Sequence, residues 1–286
     1  MNFSVCVDAV FNGKDFYESV EKLAQNGFRN IEFWTWWDKD LDRLAALKEK
    51  YGLTYVAFCT KFFSLVKQSE REDYLKGFEE TCEAARRLGC SRIITKPLDA
   101  TAEPFSVQYE RMKTTLQLAL EIARRYNVTI VLEPVNSAYE APNTFMDNSA
   151  LAFRFVDDIQ DPHLKVLYDI YHMQIDEGDV LHRILPNIDK IAHIHTAGSM
   201  ERHELSDGEL NYDYIFDKLA ETTYDGYIGL EYFPVKDELE GLRDAVRGCN
   251  VTRSVSKMTE IERRGGKRWD KPKKAEKSRD CGGGKF

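Results

Sequence analysis

Four positions of the chain combine a side chain that can bind a metal ion with the end of a short apolar run. They are Glu133, Asp169, His195 and Glu231, separated in turn by 36, 26 and 36 residues. A carboxylate in apolar surroundings is costly to desolvate unless a cation or a hydrogen-bond donor compensates it. Three carboxylates and one imidazole therefore predict a site for a divalent cation. This donor set suits Mn²⁺ or Mg²⁺, with Co²⁺ as a further candidate, better than structural zinc, which prefers thiolates.

Each of the three acids, taken singly, could instead cap a neighbouring helix or pair with a lysine or an arginine. Four successive apolar runs that end in such residues favour the metal site. His193 lies two residues before His195, so the two side chains would point the same way from one strand. We expect His195, nearer the strand end, to be the ligand, and His193 to be a hydrogen-bonded core residue one layer deeper.

The elements that must position these residues alternate along the chain. Eight runs rich in Val, Ile, Phe and Tyr are predicted as buried parallel strands, at 3–7, 30–34, 55–60, 92–95, 128–133, 165–169, 191–196 and 227–232. Amphipathic segments are predicted as helices at 15–26, 38–51, 71–88, 107–126, 148–158, 212–222 and 237–249, with the weakest helical pattern at 180–185. This alternation predicts an α/β fold, a (β/α)₈ TIM barrel, whose active site lies at the C-terminal ends of the strands. The alternative, an open doubly wound sheet, commonly carries a Gly-rich phosphate turn after its first strand, and the sequence has none there.

Five further residues close to predicted strand ends are candidate substrate contacts: His172, Arg202, Glu204, Lys96 and Trp34. Arg202 could hold an oxyanion or a carboxylate through two hydrogen bonds. Glu204, like Glu209, could orient ligands or cap the helix predicted near residue 212. Other roles remain open for the rest, because His172 could be a surface-loop histidine, Lys96 a rim lysine and Trp34 a packing residue.

The charge of the chain is unevenly distributed. The whole chain of 286 residues has a formal net charge of −8, yet residues 251–286 carry +7 and residues 1–250 carry −15. We expect residues 1–250 to form a single barrel domain and residues 251–286 a basic C-terminal extension that is mobile or loosely docked. So acidic a body argues against a nucleic-acid partner, because binding to phosphates needs a basic surface. The extension could be a nucleic-acid arm, a contact for an acidic partner subunit or a solvated segment.

The remaining composition points to a protein of the cytoplasm. The six cysteines form no C-x-x-C pair, as expected of reduced thiols. The first residues lack the basic segment of a signal peptide, and no apolar run is long enough for a membrane helix. We therefore expect a cytoplasmic protein with no membrane partner, and a homo-oligomer, either a dimer or a tetramer.

Several segments resemble the xylose-isomerase-like barrel superfamily and, within it, the hydroxypyruvate isomerase family of sugar isomerases. The matching strings are VLEPVN at 131–136, YDIYHMQ at 168–174, KIAHI at 190–194, RHE at 202–204, GELNY at 208–212 and YDGYIGLEY at 224–232. The resemblance implies that Glu133 and Glu231 are the acid/base pair and bind the metal together with Asp169 and a residue of the seventh strand. That residue is His195 here. In this position the chain resembles the related ketose 3-epimerases, which carry histidine, and departs from the hydroxypyruvate isomerases, which carry glutamine.

The resemblance implies an isomerase of a small hydroxy-carbonyl or sugar substrate, working through a cis-enediolate to interconvert aldose and ketose. A metal bound to adjacent carbonyl and hydroxyl oxygens acidifies the carbon-bound proton between them. Return of the proton to the opposite face of the same carbon would instead make a ketose 3-epimerase, and loss of water would make a dehydratase of the inosose or dehydroshikimate type. A DNA-repair enzyme like the AP endonucleases is a remote alternative, as is a binding barrel without catalysis.

Overall fold

The structure, a computed structural model, describes residues 1–247. Eight parallel strands follow one another in chain order and close into a barrel, in which the first strand pairs with the last. The strands are β1 (Asn2–Cys6), β2 (Asn30–Phe33), β3 (Thr54–Cys59), β4 (Arg92–Thr95), β5 (Thr129–Leu132), β6 (Leu164–Asp169), β7 (Ile191–Thr196) and β8 (Tyr227–Leu230). The predicted (β/α)₈ TIM barrel is confirmed, and each predicted strand coincides with an observed one.

Ten α-helices lie within the described residues. They are α1 (Val7–Val10), α2 (Phe16–Gln25), α3 (Leu41–Tyr51), α4 (Arg71–Leu88), α5 (Phe105–Tyr126), α6 (Ser149–Ile159), α7 (Ile170–Asp176), α8 (Val180–Ile184), α9 (Tyr212–Ala220) and α10 (Glu238–Arg247). Short 3₁₀ segments span Gln68–Glu70 and Leu185–Lys190. All predicted helices are present, whereas α1 and α7 were not predicted. Both are too short to show an amphipathic period.

The interior of the barrel brings the predicted ligands to one end. Small and apolar side chains, among them those of Val131 and Leu167, fill the layer inside the strands. Successive side chains of a strand alternate between its two faces, so the residue two places further along points into the same space. Glu133 and Asp169 therefore lie one layer above Val131 and Leu167, at the C-terminal mouth of the barrel.

The predicted domain limits, 1–250 and 251–286, stay predictions. The basic segment at 251–286 and the end of the last predicted helix, at 249, lie outside the described residues. Within residues 1–247, none of the helices combines the length and the apolar composition that crossing a membrane requires. The four cysteines in that range are free and buried.

Candidate metal centre and active site

The four residues proposed as metal ligands meet in one buried cluster at the barrel mouth. One ligand atom each from Glu133, Asp169, His195 and Glu231 lies within 4.8 Å of all the others. Nδ1 of His195 is 3.0 Å from Oε2 of Glu231 and 3.9 Å from Oε1 of Glu133. All four side chains are buried. The barrel thus unites residues that lie almost 100 positions apart in the chain.

The imidazole of His195 is oriented in a way that suits a metal ligand. Its Nε2 lies 3.2 Å from Oε2 of Glu32, a carboxylate of β2 inside the barrel. Its Nδ1, in contrast, is buried and lies 3.0 Å from Oε2 of Glu231, without the geometry of a hydrogen bond to any atom in the described part of the chain. A buried ring nitrogen that faces three carboxylates fits the donor set of a divalent cation.

Charge interactions set the protonation of this histidine. Burial alone would lower the pKa of His195, but the carboxylates of Glu231 and Glu32 hold it well above its usual range. Without a cation the ring is therefore protonated at neutral pH. A metal ion that binds at Nδ1 has to displace that proton.

The environment separates the pKa values of the two glutamates. Burial raises the pKa of Glu133 to about 7, although Lys96 and His195 lower it. Burial acts on Glu231 in the same direction, but His195 and Arg202 hold its pKa well below the usual range. Two carboxyl groups whose pKa values diverge within one site can serve as acid and base.

The two carboxylate oxygens of Asp169 accept hydrogen bonds from different groups. Oδ1 accepts the backbone N–H groups of Tyr171 (2.9 Å) and His172 (3.4 Å), and so caps α7 directly after the strand ends. Oδ2 accepts a hydrogen bond of 2.8 Å from Nη2 of Arg202. The cap explains how a helix of seven residues can form here, because it satisfies N–H groups that a helix leaves free.

Arg202 is buried among the acids and contacts two of the four cluster residues. Its Nη2 donates to Asp169 and to Oε2 of Glu231, and its Nη1 donates to Oε1 of Glu140 over 3.0 Å. The backbone of Arg202 has a φ of +59°, a strained conformation for a residue with a side chain. The guanidinium group thus pairs with the protein's own carboxylates, and a contact of Arg202 with a substrate stays a prediction.

His172 lies on α7 and is buried, not on a surface loop. Its Nδ1 is 2.8 Å from Nδ2 of Asn136, and its Nε2 is 3.4 Å from Oδ2 of Asp169 and 3.8 Å from Oε1 of Glu133. Burial and the nearby Arg202 hold the pKa of His172 well below its usual range. The ring is therefore neutral and faces the cluster.

Trp34 and Lys96 also reach the cluster. The indole Nε1 of Trp34 donates to Oε1 of Glu231 over 2.5 Å, and its ring lies against Phe233 with centroids 6.2 Å apart. Nζ of Lys96 is 3.9 Å from Oε2 of Glu133. Each of these two side chains therefore contacts one of the two glutamates: Trp34 contacts Glu231 and Lys96 contacts Glu133.

Glu204 is placed elsewhere. Its carboxylate accepts the backbone N–H groups of Val235 (3.2 Å) and Lys236 (2.9 Å), and so holds the segment between β8 and α10. The predicted cap of the helix near residue 212 is wrong for both Glu204 and Glu209, because Asn211 caps α9. Oε1 of Glu209 instead accepts a hydrogen bond of 3.0 Å from Gln174. Small polar side chains such as asparagine reach these N–H groups more readily than glutamate.

Four residues of the site were not predicted from sequence: Glu32, Asn136, Glu140 and Phe233. Glu32 carried a usable signal, a charged residue within the apolar run of β2. Asn136 and Glu140 follow β5 in a loop whose course cannot be derived from a periodic pattern. His193, in contrast, is fully buried and bonds to Glu32 through Nε2 (2.7 Å), as predicted.

Fold and site together define a TIM barrel with a carboxylate-rich candidate metal centre at its mouth. The model of the xylose isomerase-like TIM barrel family matches residues 20–253, and the chain belongs to that family. Its relatives include the hydroxypyruvate isomerase of Escherichia coli strain K12, 29% identical over 85% of this chain and 97% of that protein. A 2-oxo-tetronate isomerase of Cupriavidus necator is 31% identical over 84% of this chain and 95% of its own length.

A solved structure with the same fold is that of an AP endonuclease, family 2, from Brucella melitensis. The two chains share 25% identity with a TM-score of 0.81, over 84% of this chain and 96% of the other. The two isomerases from Escherichia coli and Cupriavidus necator align over nearly their whole length, which supports an isomerase that acts on a small sugar-like molecule.

Proposed function

We propose that this protein is a divalent-metal-dependent isomerase of a small hydroxy-carbonyl acid of the hydroxypyruvate or 2-oxo-tetronate type. One observation carries the proposal: two glutamates of divergent pKa, an aspartate and a histidine whose Nδ1 faces them share one buried cluster. The names of the relatives supply the substrate class.

Glu133, Asp169, His195 and Glu231 would hold the cation, Mn²⁺ or Mg²⁺ in our proposal. When bound, it polarises the carbonyl and hydroxyl oxygens of the substrate and stabilises the negative charge that develops there. The three carboxylates favour such an oxygen-preferring ion, and the imidazole also accommodates Co²⁺.

The two glutamates move the proton. Glu231 is the ionised member and accepts the proton of the carbon next to the carbonyl group. Glu133, whose pKa is about 7 without a cation, would take up a proton from water in the substrate complex and return it to the neighbouring carbon. One C–H bond breaks and one forms, and the proton of the hydroxyl group passes to the former carbonyl oxygen, so the two groups exchange places. Glu231 then releases its proton to water, which balances the proton that Glu133 took up. The reaction therefore needs neither an oxidant nor a reductant.

Other side chains bind the substrate and keep water out. His172 offers an Nε2–H donor, and Lys96 offers a positive charge beside Glu133. Both suit the oxygens of a hydroxy-carbonyl acid. Trp34 and Phe233 cover the side of the site next to Glu231, where an apolar wall lowers the access of water.

A ketose 3-epimerase is the second candidate, and His195 is the observation that favours it. At this position the chain resembles ketose 3-epimerases, which carry histidine, more than hydroxypyruvate isomerases, which carry glutamine. Return of the proton to the opposite face of the same carbon would then replace isomerisation.

A substrate panel tests the proposal. Purified protein with Mn²⁺ is incubated separately with hydroxypyruvate, a 2-oxo-tetronate and a ketohexose, and products are followed by NMR. We expect hydroxypyruvate or the 2-oxo-tetronate to yield its aldose–ketose isomer. Exclusive conversion of the ketohexose to its C3 epimer would select the second candidate. Turnover of none of the three would contradict both.

A further inference from the structure

A buried carboxylate lies beneath the metal cluster and contacts two histidines. Oε2 of Glu32 is 2.7 Å from Nε2 of His193 and 3.2 Å from Nε2 of His195. Its other oxygen, Oε1, accepts a hydrogen bond of 3.1 Å from Oγ of Ser4. All four side chains are buried, so Glu32 has no access to substrate.

A glycine on the neighbouring strand leaves room for this arrangement. A Cβ atom at Gly229 would overlap Oε1 of Glu32 and would lie 2.6 Å from Cδ2 of His195. Real Cβ atoms do not approach other atoms so closely, and both neighbours are confined inside the barrel. Glu32 and His195 therefore occupy the space that a side chain at position 229 of β8 would fill.

We propose that Glu32 is a positioning residue that holds His195 with Nε2–H directed at its own carboxylate and Nδ1 directed at the cation. This inference rests on the proposed metal-dependent function. A neutral imidazole has one N–H, so the nitrogen that bonds to Glu32 determines which nitrogen is left for the metal. Glu32, His193 and His195 also lie close enough together to hold an ion themselves, but in this proposal Glu32 acts through His195 and is not a ligand.

A role limited to pairing with His193 would have a different signature. In that case the loss of the carboxylate would lower the stability of the barrel but would not change the affinity for a metal ion. If Glu32 positions His195, the loss of its carboxylate should instead weaken metal binding. A carboxylate that bonds to the far nitrogen of a metal-binding histidine commonly contributes about 10- to 100-fold to metal affinity.

The test is a double-mutant cycle with Mn²⁺ affinity as the readout. Dissociation constants are measured by calorimetry for the wild type, Glu32→Gln, His195→Ala and the double variant. We expect Glu32→Gln to weaken Mn²⁺ binding by about 10- to 100-fold, and to have little further effect once His195 is absent. An unchanged affinity in Glu32→Gln, or full additivity in the double variant, would overturn the proposal.

A matched pair of glycine variants reaches the same contact without removing a polar group. Gly229→Ala would displace Glu32 and His195, whereas Gly226→Ala would meet Tyr224 and the backbone of Ala192, away from the cluster. Both should lower the thermal stability, but only Gly229→Ala should weaken Mn²⁺ binding. Equal Mn²⁺ affinities in the two variants would count against the proposal.

A measurement on the wild type requires no variant to fold. In ¹⁵N-labelled, Zn²⁺-loaded protein, the imidazole shifts of His195 report which nitrogen binds the metal. We expect Nδ1 to be bound and Nε2 to be protonated, and metal at Nε2 would overturn the proposal. Failure of the wild type to bind any divalent cation would overturn the proposed function as well. Tight Mn²⁺ binding with the same dissociation constant in the wild type and in Glu32→Gln would overturn only this inference.

Discussion

The side-chain amide of Asn136 donates a hydrogen bond of 2.8 Å to Nδ1 of His172. The orientation of the amide is determined by its other end, because Oδ1 accepts the backbone N–H groups of Tyr139 (3.0 Å) and Glu140 (3.1 Å). Since Nδ1 of His172 accepts, the proton of the neutral ring is on Nε2. This nitrogen faces Asp169 and Glu133 and also lies 3.2 Å from Nη1 of Arg202, which donates to Glu140. Asn136 thus makes His172 a hydrogen-bond donor towards the candidate active site.

Asn136→Asp should impair the enzyme although the shape of the side chain is retained. The carboxylate still accepts the two backbone N–H groups, but it forces a proton onto Nδ1 of His172 and removes the neutral donor at Nε2. We expect kcat/KM to fall about 10- to 100-fold, as for the loss of a hydrogen bond worth about 1.5–3 kcal/mol. The control is Asn211→Asp, the same change at the exposed N-cap of α9, where the two residues serve almost equally. Equal kcat/KM values in the two variants would contradict the role of Asn136.

Trp34→Phe removes one donor from Glu231 and retains an aromatic wall. The 2.5 Å bond from Nε1 lowers the pKa of Glu231 and orients its carboxylate, so its loss raises that pKa and leaves the base less well oriented for proton transfer. We expect kcat/KM to fall about 10-fold. Trp36→Phe is the matched control, since Nε1 of Trp36 donates to Thr81 over 3.0 Å. Steady-state kinetics should show a normal kcat/KM for the folded control, and a normal value for Trp34→Phe would contradict this role.

Metal binding should release protons at pH 7. Without a cation His195 is protonated because its pKa is raised, and Glu133, with a pKa of about 7, is protonated in about half of the molecules. Both must lose their protons to bind a cation, so the apparent Mn²⁺ affinity should rise as the pH rises towards 8 and fall below pH 7. Calorimetry in buffers of different ionisation enthalpy should show the release of more than one proton per Mn²⁺. Binding without proton release would contradict ligation by these two groups.

The barrel and its four cluster residues could be predicted because both depend on short-range patterns. Apolar runs that alternate with amphipathic segments define the strands, and a closed parallel barrel necessarily places all C-terminal strand ends at one mouth. Asp169 and Glu231 needed no further information to be placed there. The same reasoning separated His195 from His193, because residues two apart in a strand lie in successive layers.

What could not be predicted depends on contacts between distant loops and on side-chain direction. The contact of Arg202 with Asp169 and Glu231 requires a positive φ at Arg202. A positive φ is uncommon for a residue other than glycine, so the arginine itself gives no indication of this turn. Glu204 follows two residues later but bonds to the β8–α10 segment instead. Glu32 is charged within an apolar strand, and only the closed barrel shows that its side chain points inward to the histidines.

Deuterium exchange tests the central claim most directly. Wild-type protein with Mn²⁺ is incubated in D₂O with hydroxypyruvate, and deuterium at the carbon next to the carbonyl group is followed by NMR. We predict exchange that EDTA abolishes and Mn²⁺ restores, and a decrease in exchange rate of at least about 10²-fold in Glu133→Gln and in Glu231→Gln. Glu177→Gln, which changes a buried carboxylate bonded to Ser149, should exchange at the wild-type rate. Exchange that persists in EDTA, or in the double variant of Glu133 and Glu231, would contradict the account.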